Sequence, residues 1–70
     1  MTQKITVQLN GSEYTLNAGS SILTVLEILD LTGQRVAVER NGSVVPRSQH
    51  GDTQLATGDQ LEVIRAVGGG

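Results

Sequence analysis

Apolar and polar residues alternate along the chain in two distinct periods. Lys4-Ile5-Thr6-Val7-Gln8-Leu9 repeats every second residue, placing Ile5, Val7 and Leu9 on one face of a strand. Asn10-Gly11 follows, and both residue types tolerate positive φ, so the pair predicts a tight type I′ hairpin. The returning strand runs from Ser12 to Leu16, with Tyr14 and Leu16 on one face. Asn17-Ala18-Gly19 ends it. From Ile22 the spacing becomes helical: Ile22, Val25, Leu26 and Leu29 stand at i, i+3, i+4 and i+7, with Thr24, Glu27 and Asp30 opposite. Ser20 or Ser21 can serve as N-cap, and Gly33, just past Leu31, is the expected stop.

Strand character returns at Arg35–Arg40, and Asn41-Gly42 predicts a second tight turn. Val44-Val45 makes a brief strand that Pro46 ends or confines to an edge. Residues 47–57 are polar apart from Leu55, which predicts an irregular loop with a single helical turn. Gly58-Asp59 turns the chain into a last strand, Gln60 to Val67. Leu61, Val63 and Val67 lie on one of its faces, and Ile64 and Ala66 on the other. Apolar residues on both faces indicate a central strand, or one whose second face meets a partner. The hairpin and the last strand carry the largest apolar faces and are expected to share the middle of the sheet. The order β-β-α-β-β-β describes an α+β, ubiquitin-like β-grasp: a small mixed sheet of four to five strands with one helix packed across one face. Residues 1–67 form that domain, and residues 68–70 form a flexible C-terminal glycine tail.

Composition narrows the chemistry. Seventy residues make one small domain, near the lower limit at which a single core suffices, and a 37% hydrophobic content still allows it to fold alone. The chain has no cysteine, hence no disulfide, thiolate metal site or nucleophilic thiol, which fits the cytoplasm. The opening Met1-Thr2-Gln3-Lys4 lacks a secretory signal, and no apolar run approaches the roughly 20 residues of a membrane span. A net charge of −2 without clusters of either sign argues against nucleic acid or an anionic membrane as partner.

Nothing in the sequence equips the chain as a catalyst. His50 is the single histidine; Ser48 is near, but no third group orients a base, so His50 reads as solvated or loop-packing. The carboxylates Glu39, Asp52, Asp59 and Glu62 are dispersed, and both Asp52 and Asp59 adjoin glycine as turn residues do. No phosphate-cradling glycine motif occurs. Arg40, Arg47 and Arg65 can pair with acidic groups on a partner, Arg65 being closest to the tail. The distinctive feature is the end, Val67-Gly68-Gly69-Gly70. Glycine makes up about 7% of average sequence, so three in succession directly after a strand are unexpected by chance. Without Cβ atoms they form a narrow thread that can carry the Gly70 carboxylate into another protein's active site. That carboxylate, inert until activated, is the one reactive candidate.

Two segments also resemble a known family. Val36-Ala37-Val38-Glu39-Arg40-Asn41-Gly42-Ser43-Val44-Val45-Pro46-Arg47 is similar to the middle signature of the thiamine-biosynthesis sulfur carrier proteins, the ThiS family. Gly58-Asp59-Gln60-Leu61-Glu62-Val63-Ile64 and Val67-Gly68-Gly69-Gly70 resemble its C-terminal signature, and length and element order match over the whole chain. The resemblance implies a carrier and not an enzyme, with no permanently bound cofactor. A ThiF-like adenylyltransferase would use ATP to convert the Gly70 carboxylate into an acyl-adenylate. A persulfide on a sulfurtransferase or cysteine desulfurase would then leave a Gly70 thiocarboxylate, whose sulfur goes to a ThiG-like thiazole synthase. Gly69 and Gly68 would thread the partner's channel. Three glycines exceed the essential final pair, which makes Gly68 a spacer. Val45 and Ile64, near the tail, are interface candidates, with core packing as the alternative for each; Arg65 joins them. The chain by itself is expected to be a monomer. Sulfur carriers of other pathways (the MoaD-like small subunit of molybdopterin synthase, carriers for cysteine or a specialised metabolite) and ubiquitin-like protein modifiers share the glycine end.

Overall fold

In the computed structural model, which describes residues 3–65, strand β1 (Lys4–Leu9) turns through Asn10-Gly11 into antiparallel β2 (Ser12–Asn17). Both turn residues have positive φ, 50° and 84°, as a type I′ turn requires. The same device recurs at Asn41-Gly42 (53° and 86°), which joins β3 (Val36–Arg40) to β4 (Ser43–Val45). Pro46 ends β4, and Arg47–Gln49 forms the single helical turn expected in the loop, of 3₁₀ type. The last strand, β5, is described over Gln60–Arg65; its expected continuation through Ala66 and Val67 lies outside the described residues.

The sheet order is β2-β1-β5-β3-β4. β5 runs parallel to β1 and antiparallel to β3, so the sheet is mixed and β5 is its central strand. The expectation that the whole hairpin shares the centre needs correcting. β1 lies next to β5, but β2 forms an edge, and its pattern of exposure shows why: Leu16 is its one buried residue.

Helix α1 (Ile22–Ile28) crosses one face of the sheet. Ser21 is the N-cap, and Ser21 and Thr24 bond reciprocally as a capping box. Two further N–H groups of the first turn find carbonyls in the long loop: Ile22 donates to Thr53 O (3.2 Å) and Leu23 to His50 O (3.0 Å). The 47–57 loop therefore serves as a backbone cap for the helix start, anchored by buried Leu55, whose N–H donates to Ser20 O. The helix is shorter than its hydrophobic period suggested. It ends at Leu29, because Asp30 adopts a left-handed conformation (φ 59°) and Leu31 N–H turns back to Leu26 O; Gly33 lies beyond the end and does not cause it.

Between helix and sheet lies one core of Val7, Leu9, Leu16, Ile22, Val25, Leu26, Val38, Leu55 and Leu61. Three of the four residues of the predicted helical stripe are buried, and Leu29 packs against the margin. Cross-strand pairs such as Val7 with Tyr14 and Val38 with Val63 put the inward positions of neighbouring strands on one face. The other face, carrying Ala37, Val44 and Ile64, has no helix over it.

Candidate functional site

The site begins where the described chain stops. β5 is central in the strand order; β1 pairs with its start, Gln60 and Leu61, and β3 pairs with it from Leu61 to Arg65, so its C-terminal end lies along β3. Gly68, Gly69 and Gly70, the residues on which the functional reading rests, lie outside the described residues. The root from which they extend is nevertheless defined. Val36 pairs with Arg65 and Ala37 with Ile64, and Arg65 Nη2 donates to Gln34 Oε1 at 2.9 Å. Beside this root is a cavity of about 160 Å³ lined by Leu26, Leu31, Gln34, Val36, Arg47 and His50, among others.

Two asparagines from the tight turns brace the same strand. Asn10 accepts the Val63 N–H through Oδ1 (2.9 Å), and its own N–H donates to Leu61 O. Asn41 accepts the Gln60 N–H through Oδ1 (2.8 Å) and donates its backbone N–H to Gln60 O (2.7 Å). An asparagine suits both tasks: it tolerates the left-handed turn position and its amide bonds the backbone of the strand alongside.

Asp59, read from sequence as a turn residue, does more. It is buried and accepts from Arg40 Nε (2.9 Å), Asn41 Nδ2 (3.1 Å) and Ala56 N–H (2.9 Å). Burial pushes its pKa up; the bonds from Ala56, Asn41 and Arg40, with the charge of Arg40, outweigh that and hold the carboxyl below its ordinary value. No local sequence signal marks this cluster, since Arg40 and Asn41 are 19 and 18 residues away from Asp59. It joins the two segments that carry the family resemblance.

The interface candidates separate. Ile64 is half exposed on the helix-free face, where Val44 is also exposed. Val45 faces the other way: it opposes Val38, packs against the core, and its carbonyl accepts from His50 Nε2 (3.0 Å). Val45 is partly buried against the core, and its neighbour Val44 takes the outward place. His50 is a buried loop-packing residue. Among the described residues no group of three or more His, Asp or Glu side chains is arranged to hold a metal ion, and no helix is long and apolar enough to cross a membrane.

A capped helix over a five-stranded mixed sheet has a direct counterpart among known proteins. The sequence pattern of the ThiS family matches residues 7–70. The chain belongs to the ThiS family. In structure it is similar to the thiamine biosynthesis protein ThiS from Geobacter metallireducens, with a TM-score of 0.79 and 28% identity over 94% of this chain and all of that one. In sequence it is 39% identical over 64 residues to a thiazole synthase from Magnetococcus marinus, and 36% over 62 residues to one from Paramagnetospirillum magneticum. Those stretches are 91% and 89% of this chain but 20% and 19% of the thiazole synthases, so the chain spans about a fifth of these relatives. An uncharacterised protein, ycf40, of Pyropia yezoensis is 39% identical over 66 residues and matches in length, with 94% of this chain and 93% of that one covered.

Proposed function

We propose that this ThiS-family protein is a sulfur carrier for thiazole formation in thiamine biosynthesis, with Gly70 as the residue that holds the sulfur. The observation that carries the reading is the Gly68-Gly69-Gly70 sequence following the central strand of a β-grasp, in a family that includes the thiamine biosynthesis protein ThiS. A partner adenylyltransferase joins the Gly70 carboxylate to the α-phosphate of ATP and releases pyrophosphate, which turns a poor acyl donor into a good one. A persulfide sulfur from a sulfurtransferase attacks the acyl carbon and AMP leaves; reductive cleavage of the S–S bond by a thiol then yields the thiocarboxylate. The thiocarboxylate keeps sulfur nucleophilic and transferable. Gly69 and Gly68 admit it to narrow channels because they present no side chain.

The partner that consumes the sulfur is a thiazole synthase. Support comes from the two thiazole synthases that contain a stretch similar to almost this whole chain. The test is mass spectrometry after incubation with ATP, an adenylyltransferase and a sulfur donor. Exchange of one terminal oxygen for sulfur is the expected result. Amide-linked adducts to lysines of other proteins would instead identify a protein modifier. Complementation completes the test: a chain lacking Gly69 and Gly70 should fail to restore growth without thiamine, and restored growth would overturn the carrier reading.

A further inference from the structure

An activated acyl terminus reacts with any amine or thiol within reach, so the chain that carries one has to be inert toward it. This chain has no cysteine and one lysine, Lys4, against four arginines. Three of those arginines gather at the root of the tail. Arg65 is the last described residue of β5, Arg35 precedes Val36, which pairs with Arg65, and Arg47 lines the cavity that Val36 and Gln34 also line. A guanidinium stays protonated at any physiological pH and is not an acyl acceptor, whereas a lysine amine is. His50, whose imidazole could act as a nitrogen nucleophile in that cavity, is buried.

The lysine sits at the opposite end. β1 and β5 are parallel, with Gln8 beside Gln60. Lys4 stands four residues before Gln8 and Arg65 five after Gln60, so nine strand rises of about 3.3 Å separate them by about 30 Å. Residues 66–70 span at most about 18 Å when fully extended, and a lysine side chain adds about 6 Å of bond lengths. Lys4 Nζ is also tied to Asn17 Oδ1 at 2.6 Å. The Gly70 acyl carbon therefore falls short of the one side-chain amine of its own molecule.

We propose that the tail end of this fold is an amine-free cationic collar, in which Arg35, Arg47 and Arg65 supply positive charge without a nucleophile, and that this collar with the remote placement of Lys4 keeps activated Gly70 from acylating its own side chains. Arg65 is the specificity-determining position, since it stands nearest the tail. The proposal rests on the acyl-activation reading above, but its chemistry can be measured without any partner.

The experiment uses the full chain prepared as a C-terminal thioester of a small thiol, compared with the R65K and Q34K variants at mildly alkaline pH. In self-acylation the lysine nitrogen forms an amide bond to the Gly70 carbonyl carbon, the C–S bond breaks, and the amine proton goes to the departing thiolate. Intact mass and peptide mapping separate this lactam from the hydrolysed acid. The native chain is expected to lose its thioester by hydrolysis alone, and R65K to form at least tenfold more lactam, at a rate independent of protein concentration. A native chain that joins Lys4 to Gly70 as readily as R65K closes its ring would overturn the proposal. So would R65K and Q34K chains that only hydrolyse, at the native rate. Because the thioester is installed chemically, a failed assay with ATP and the adenylyltransferase would remove the carrier reading and leave this result standing.

Discussion

Replacing Asp59 tests whether a buried carboxylate holds the start of β5 against the β3–β4 turn. The side chain accepts three hydrogen bonds, from Arg40, Asn41 and Ala56, and it joins the β3–β4 turn to the start of β5. A hydrogen bond to a charged group is worth about 1.5–3 kcal/mol, which gives an upper limit well above what Asp59→Ala should cost. The donors are not trapped: the Arg40 side chain is 34% exposed, so it regains water when its partner is removed. Removing one member of a fully buried pair costs about 3–5 kcal/mol, and this half-open arrangement should cost about 2–4. For a domain of this size that is a fall in Tm of about 14–27 °C. Asp59→Asn keeps the shape but turns one acceptor oxygen into a donor facing donors, and should cost about 1–2 kcal/mol.

The pH dependence supplies a sharper check. The native carboxyl is held below its ordinary value, so the unfolded chain binds protons more readily in acid. The contribution of Asp59 is therefore complete above about pH 5 and drains away as pH falls below about 4. Thermal unfolding of the native chain and Asp59→Asn between pH 7 and pH 2 should show a constant gap that then narrows. A change under about 0.5 kcal/mol for Asp59→Ala, or a gap to Asp59→Asn that persists unchanged to pH 2, would refute the reasoning.

Leu26→Ala, in the middle of the core, should lower unfolding free energy by about 2–5 kcal/mol in denaturant titration. Ile64→Asp, on the helix-free face, should change stability by about 1 kcal/mol or less while weakening adenylyltransferase binding at least tenfold by calorimetry. Val45→Ala should do the reverse, costing about 1 kcal/mol in stability with partner affinity unchanged. Gly70→Ala should abolish or strongly slow adenylation, followed as ATP–pyrophosphate exchange, with Tm shifted by less than about 1 °C; equal losses in both would contradict the tail's assigned role.

The elements that sequence alone specified are those whose cause is local. Period two and two Asn-Gly pairs were enough for both hairpins, because backbone sterics at positive φ decide such turns without help from the rest of the molecule. The helical stripe located α1 and three of its core residues, and the lack of cysteine and of any acid/base set pointed to the glycine end as the reactive feature. The end of α1 was misread because Gly33 is the residue type that usually stops a helix, yet Asp30 took the left-handed conformation first.

Tertiary structure decided whatever depends on residues far apart in the chain. The placement of β2 at an edge, the opposite faces of Val44 and Val45, and the conversion of the 47–57 loop into a helix cap all follow from pairings across the sheet or between loop and helix. Asp59 shows the reason most plainly. Beside Gly58 it has the local pattern of any turn aspartate, with Ala56 N–H as its local donor, and only when β3 and β5 pair do Arg40 and Asn41 reach it as well. The distance between Lys4 and the tail has the same origin: composition supplies a single lysine, and the parallel alignment of β1 with β5 sends it to the far end.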